Sequence, residues 1–125
     1  MKVVRSSQAT SEEMTGGIFT STIRLTPLIN EATGAEQLKS ALVYFPAGVR
    51  NKLHRHTHEQ ILFVSKGKGI VATKDDERVV EPGDIVVIPA GEMHWHIATG
   101  ETDFKHLFVV PLNSETTYLL SARYL

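Results

Sequence analysis

Short apolar segments, rich in β-branched residues and separated by Gly- and Pro-containing turns, make up most of this chain. In the first of them, Phe19, Ile23 and Leu25 share one parity before Pro27 interrupts the pattern. Segments of this kind are typical of β-strands. No helical periodicity intervenes, so the pattern predicts an all-β domain. The predicted strands are Ile18–Leu28, Ala41–Phe45, Lys52–His56, Gln60–Ser65, Ile70–Lys74, Arg78–Val80, Asp84–Ile88, Met93–Ala98 and Asp103–Val110.

The connections between these segments carry turn-forming residues. Pro82 and Gly83 predict a tight turn, because Pro presets one φ angle and Gly supplies a positive one. Asn30–Gln37 is expected to be a loop, and the tail allows two predictions: a short helix capped by Asn113, or a last strand over Thr116–Leu120. So many short strands indicate a sandwich or a closed barrel. An eight-stranded barrel is wide enough to hold a small ligand.

Length and composition narrow the function classes. The 125 residues fit one domain, expected over 1–125 with a barrel core at about 18–110. A net charge of −1 without a basic patch argues against nucleic acid as a partner. No apolar run could cross a bilayer, no secretory signal opens the chain, and the absence of cysteine excludes thiol chemistry, so we expect a cytoplasmic protein. All six histidines fall between positions 54 and 106, which points to a site.

The spacing of the histidines predicts that several of them share one face. Side chains alternate along a strand, so His54 and His56 project together, and Gln60 has the same parity at the start of the next strand. His94 begins a further strand, and His96, two residues later, lies on the same face of that strand as His94. Three imidazoles and an amide oxygen suit a divalent metal. We therefore predict a metal site formed by His54, His56, Gln60 and His94.

Two glycine-flanked motifs surround these residues, and both resemble the signature of the cupin superfamily. Their sequences are Gly48-x5-His54-x-His56-x3-Gln60-x6-Gly67 and Gly83-x5-Pro89-x-Gly91-x2-His94. The resemblance implies a small jelly-roll β-barrel with the metal inside.

Residues 18–110 resemble more narrowly the small bacterial manganese cupins that include the hydroxynitrile lyases. The matching pieces are Phe19-Thr20-x-Thr22-Ile23-Arg24-x2-Pro27-Leu28, Gln60-x-Leu62-x-Val64, Gly91-Glu92-x-His94-Trp95-His96 and His106-Leu107. In that group three His and one Gln hold the metal, and a late His, matched by His106, is proposed as the base. The resemblance also implies that Ala41, Val43 and Phe45 line the pocket. The loop Thr57–Glu59 departs from the lyases, which carry a Pro- and Gly-containing loop there.

The remaining candidate residues each have two interpretations. His106 shares a strand face with Phe108 and Val110, so it is either a free imidazole beside an apolar wall or a structural core histidine. His96 is either a second base or a group that orients a ligand. His58 and Glu59 compete with Gln60 as ligands, and Trp95 is expected to pack between the barrel and a partner.

With a neutral Gln ligand in place of Glu, the net charge of the metal and its ligands would stay at +2, which would make the metal a stronger Lewis acid. Manganese is expected ahead of iron, with zinc and nickel as further candidates. Three functions follow: a lyase that acts on a small organic substrate, such as a cyanohydrin, with His106 as base; an oxygen-dependent enzyme; or a non-catalytic binding module. A homodimer is expected through Phe19–Leu25 and the tail Tyr118–Leu125.

Overall fold

The computed structural model describes residues 1–119, which form strands, two short 3₁₀ turns and, within that range, no α-helix. The turns are Ser6–Gln8 and Glu31–Thr33. The strands are β1 (Glu12–Met14), β2 (Ile23–Ile29), β3 (Leu38–Phe45), β4 (His54–His56), β5 (Gln60–Gly67), β6 (Gly69–Ala72), β7 (Glu77–Val80), β8 (Ile85–Ile88), β9 (Trp95–Ala98), β10 (Phe104–Pro111) and β11 (Thr116–Tyr118).

All strand pairs are antiparallel, and the strands form two facing layers of a jelly-roll barrel. One layer is a six-stranded sheet in the order β1–β2–β3–β10–β5–β8. The other contains the sheet β7–β6–β9 and the pair β11–β4, joined by isolated bridges from Arg50 to Ile97 and from His54 to His94. The predicted all-β barrel is confirmed. Within residues 1–119, no helix is long and apolar enough to cross a membrane.

Strand β2 differs from its prediction. It spans Ile23–Ile29 rather than Ile18–Leu28, and Pro27 within it pairs with Ala41 before the register shifts. Strand β1 pairs only with Ile23–Leu25, so Pro27 lies at an edge position of the sheet, where a residue without an N–H is tolerated. Strand β1 was not predicted, since its three residues are all exposed and carry no apolar alternation.

The tail adopts a strand. Residues Thr116–Tyr118 pair with His56–His54 of β4, and Asn113 does not begin a helix. Strand β4 itself is shorter than the predicted Lys52–His56. The part of the predicted dimer interface at 120–125 lies outside the described residues.

Burial follows the alternation of side chains along the strands. In β5, Leu62 and Val64 are fully buried, whereas Ile61 and Phe63 face outward and are 44% and 42% exposed. The inward side chains of both layers form one apolar core, made of Ile23, Val43, Phe45, Leu62, Val64, Val71, Val80, Ile88, Ala98 and Phe104.

The apolar residues of the segment Phe19–Leu25 are used within this core. Ile23 belongs to it, and Phe19 and Leu25, which are partly buried, pack against it. Five exposed apolar residues lie on β5, β7 and β8, namely Ile61, Phe63, Val79, Ile85 and Val87, and two more, Met14 and Leu38, lie on β1 and β3.

Candidate metal centre

Backbone pairing brings together three histidines that lie up to forty residues apart in the sequence. Strand β4 buries His54 and His56 and exposes Arg55 between them. His94 forms an antiparallel bridge with His54, whose N–H and C=O exchange hydrogen bonds of 2.9 and 2.8 Å with those of His94. One ring nitrogen from each of the three histidines lies within 4.8 Å of the others. This group is able to bind a metal ion.

Gln60 lies on the same side of the barrel interior. It opens β5, is 5% exposed, and lines a cavity together with His54 and His56. Its side chain is close enough to His56 to raise the pKa of that imidazole, against the larger lowering effect of burial.

Backbone carbonyls set the protonation of two of the rings. His54 Nδ1 donates to the Lys52 carbonyl oxygen at 2.6 Å, and His94 Nδ1 donates to the Glu92 carbonyl oxygen at 2.8 Å. Since a carbonyl can only accept, Nδ1 carries the proton in both rings and Nε2 keeps its lone pair. Partners of this kind hold metal-binding imidazoles in position. His56 Nδ1 bonds to the Thr116 hydroxyl at 2.8 Å.

Three atoms that could face a metal have no other partner. His56 Nε2, His94 Nε2 and Gln60 Oε1 are buried and form no hydrogen bond with the described residues. Buried polar atoms are rarely left unpaired, because an unmade hydrogen bond costs about 1–3 kcal/mol. Unpaired imidazole nitrogens and an unpaired amide oxygen are suitable ligands for a divalent metal.

His96 is held in a different state by Asn51. The Asn51 Oδ1 accepts a hydrogen bond from the His96 backbone N–H at 2.7 Å, and its Nδ2 lies 3.4 Å from His96 Nδ1. An amide nitrogen donates, so Nδ1 accepts and the proton resides on Nε2. His96 therefore lies beside the three-histidine group, with its ring centroid 5.0 Å from that of His94, but does not join it. No sequence signal had identified Asn51.

His106 lies deeper, among aromatic rings. Its ring centroid is 5.7 Å from Phe45, 5.5 Å from Phe104 and 5.0 Å from His96. The side chain is 2% exposed, and neither ring nitrogen has a hydrogen-bond partner among the described residues. A purely structural histidine would be expected to have such a partner.

One cavity of about 210 Å³ is lined by His54, His56, Gln60, His96 and His106, whereas His94 lines a separate pocket. Val43, Phe45, Phe108 and Val110 all line the cavity, whereas Ala41 is buried but does not. The N-terminal part of the chain also lines the cavity, with four apolar residues that were not predicted to do so: Met14, Ile18, Phe19 and Leu25. The cavity is small and mostly apolar, so it suits a small organic molecule.

The other candidate residues lie outside this cavity. His58 is half-buried and bonds through Nδ1 to the Thr57 hydroxyl at 2.8 Å, and Glu59 is exposed. Trp95 is half-buried on the face of β9 opposite His96. None of the three lines the cavity.

Burial keeps the histidine cluster neutral. Removal from water lowers the pKa of His54 to about 3 and the pKa values of His94 and His106 to about 4, and it places the pKa of His96 well below 6.5. Repulsion between the rings adds to the lowering for His54. Neutral imidazoles keep their lone pairs and need to release no proton when a metal binds.

We expect the metal-free protein to lose stability steeply in mild acid. A lowered pKa means that the unfolded chain binds more protons below pH 6.5, the ordinary value, so stability is present above that pH and falls towards pH 4. Each such histidine contributes about 1.4 kcal/mol per pH unit. Urea unfolding between pH 7 and pH 5 measures the slope.

The control for this experiment is His58→Ala, which removes an imidazole outside the cluster and should leave the slope unchanged. Saturating metal should move the loss of stability to lower pH, because protons must then displace the bound ion. A metal-free protein whose free energy of unfolding is flat between pH 6.5 and pH 5 would contradict the neutral-cluster interpretation.

Comparison with known proteins places these residues in a family context. Residues 41–110 match the cupin domain family. The matched segment runs from β3 to β10 and contains all the histidines of the cavity and Gln60.

Individual relatives agree with this match. The chain is 34% identical over 111 residues to the (R)-mandelonitrile lyase of Granulicella tundricola, covering 87% of this chain and 83% of the relative. It is 30% identical over 115 residues to the oxalate-binding protein of Thermotoga maritima, covering 88% and 93%. The crystal structure of a cupin-like protein of Thermotoga maritima superposes with a TM-score of 0.78 at 25% identity, over 90% of this chain and 88% of that one.

Proposed function

The chain belongs to the cupin domain family, and from this premise we propose that it is a metal-dependent enzyme acting on a small organic substrate, most concretely a lyase that cleaves cyanohydrins. One observation carries the proposal: His54 and His56, two of the three histidines able to bind a metal, line the same small cavity as a separate unpaired imidazole, His106. A Lewis acid beside a proton acceptor is what such a cleavage needs.

Four residues would hold the metal: His54, His56 and His94 through Nε2, and Gln60 through Oε1. All four ligands are neutral, so the ion would keep its full charge, which favours anionic or enolisable ligands. We propose manganese first and iron next, with zinc and nickel as alternatives. The bound ion would supply Lewis-acid polarisation of a substrate oxygen.

His106 would act on the proton of the substrate. In a cyanohydrin it would accept the hydroxyl proton while the bond between the carbinol carbon and the nitrile carbon breaks. The electron pair of that bond leaves with cyanide, and the oxygen becomes a carbonyl. The proton then passes from His106 to cyanide, so that hydrogen cyanide leaves and the imidazole is neutral again. Its location between Phe45 and Phe104 would shield this transfer from water.

His96 would act as a positioning residue. Its bonds to Asn51 fix the ring, and the ring meets His106 edge-on at an interplanar angle of 80°. We propose that this packing holds the His106 imidazole at the cavity wall, where Val43, Phe45, Phe108 and Val110 would contact the substrate.

A binding function without turnover is the second candidate. It is favoured by the relative from Thermotoga maritima, which is named an oxalate-binding protein and matches over nearly its whole length. In that case the same cavity would hold a small anion at the metal and His106 would serve only to pack or to hydrogen-bond it.

The first test of the proposed function is an assay of the manganese-loaded protein with mandelonitrile. Release of benzaldehyde and cyanide without oxygen consumption would support the lyase. Oxygen uptake with an enolisable substrate would assign an oxygen-dependent reaction instead. Tight binding of oxalate with neither reaction would favour the binding module and overturn the enzyme proposal.

We also propose that the protein is a homodimer. The support is the apolar surface formed by Ile61, Phe63, Val79, Ile85 and Val87, which are between 42% and 67% exposed. Sedimentation equilibrium of wild type and Ile85→Asp tests this: a wild-type monomer would contradict it.

A further inference from the structure

We propose that Lys39 and Ser114 form a carboxylate-binding subsite in the cavity, so that the substrate carries an anionic group in addition to its reacting centre. This inference rests on the proposed function, since it names the class of substrate that the same cavity would take. The subsite lies on the wall formed by the beginning of β3 and the turn after β10.

Lys39 is the one charged side chain on an otherwise apolar inward face of β3. It shares parity with Ala41, Val43 and Phe45, all of which are buried, and it pairs with Val110 of β10. It lines the cavity, and no carboxylate within residues 1–119 forms an ion pair with it. The ammonium group therefore has no counter-ion on the described protein.

Ser114 supplies a hydroxyl to the same cavity. The turn after β10 is closed by a 3.0 Å hydrogen bond from the Ser114 N–H to the Pro111 carbonyl. Its Oγ is buried, lines the cavity and has no hydrogen-bond partner among the described residues. The neighbouring Thr116 hydroxyl is already bonded to His56, so Ser114 is the available donor on this wall.

The charged residues that line the cavity favour an anionic ligand. None of the residues that line the cavity is Asp or Glu. A cation beside an apolar wall is costly unless it is paired. An incoming carboxylate would satisfy both Lys39 and the Ser114 hydroxyl through charge-assisted hydrogen bonds.

The distance between Lys39 and His106 limits the length of the substrate. Val43, four residues after Lys39, pairs with His106, which places the two backbone positions about 13 Å apart along β3. The Lys39 side chain spans part of this distance. The remainder fits a short carbon chain or one aromatic ring between the carboxylate and the reacting hydroxyl.

NMR titration with benzoate and its neutral isostere benzamide tests the subsite. We expect wild type, both manganese-free and zinc-loaded, to bind benzoate at least about 10-fold more tightly than benzamide. Lys39→Met should remove this preference, and Ser114→Ala should reduce it, while benzamide affinity stays unchanged. Lys105→Met is the matched control, because it removes the same charge from the opposite face of β10 and should leave the preference intact.

The outcomes separate this inference from the proposed function. The metal-free titration removes direct metal coordination of the carboxylate as an explanation. Equal affinities for benzoate and benzamide, or a preference that survives in Lys39→Met, would overturn the subsite even if mandelonitrile is cleaved. A Lys39-dependent preference in a protein without any lyase activity would support the subsite and overturn only the proposed reaction.

Discussion

Replacing His94 by Ala is expected to lower the affinity for manganese by more than roughly 100-fold, beyond what loss of a residue that only supports a ligand costs. The substitution removes one of the three ring nitrogens that lie within 4.8 Å of each other. The backbone bridge between His94 and His54 does not depend on the side chain, so the fold should persist. Metal analysis after dialysis and calorimetric titration of the apoprotein measure the change.

Three further variants show whether the loss of affinity is specific to the proposed ligands. His58→Ala removes a histidine outside the group and should leave manganese affinity unchanged. Gln60→Ala should weaken binding, since its buried Oε1 has no other partner among the described residues. Gln60→Glu should tighten binding, because a carboxylate adds a charge opposite to that of the ion. Full manganese occupancy in folded His94→Ala would contradict the assignment of the site.

His106→Asn is expected to reduce turnover of the cyanohydrin by about 10²- to 10⁴-fold while manganese content stays the same. Asn keeps a polar side chain in the cavity but cannot accept the hydroxyl proton as imidazole does. Burial lowers the pKa of His106 to about 4, so its imidazole should stay unprotonated between pH 7 and pH 5. We therefore expect the rate of the metal-loaded wild-type enzyme not to fall through protonation of His106 over this range. Steady-state rates across this range measure both effects.

His96→Asn is the matched comparison for this experiment. If His96 only positions its neighbour, this variant should lose less activity than His106→Asn, and the loss should appear mainly in kcat. Unchanged turnover in His106→Asn, with manganese retained, would exclude His106 as the base. Should His96→Asn alone be inactive, the proton acceptor would be reassigned to His96.

Much of the fold was predictable because alternation is a local property. In β5, the buried Leu62 and Val64 alternate with the outward Ile61 and Phe63, as their parity requires. The same rule placed His54 with His56 on one face. Strand β1 and the start of β2 at Ile23 were not predictable, since they depend on how the two strands pair with each other.

The candidate site, like the fold, was predictable only in part from the sequence. The motif spacing and the resemblance to cupins named the residues that converge on the cavity, including Gln60 and His106. They could not indicate that Asn51 fixes His96, that Thr116 bonds His56 from sixty positions away, or that Lys39 and Ser114 share the wall. None of these contacts leaves a local pattern in the chain.

The sequence by itself indicated an all-β fold, resembled the cupins through its two motifs, and determined which side chains share a strand face, because side chains alternate along a strand. The tertiary structure alone decided which inward groups meet. The register of β4 against residue 94 forms the three-histidine group, and the carbonyls of Lys52 and Glu92 set which ring nitrogen faces inward. Register and hydrogen-bond partner are properties of paired strands, so they exist only once distant segments have come together.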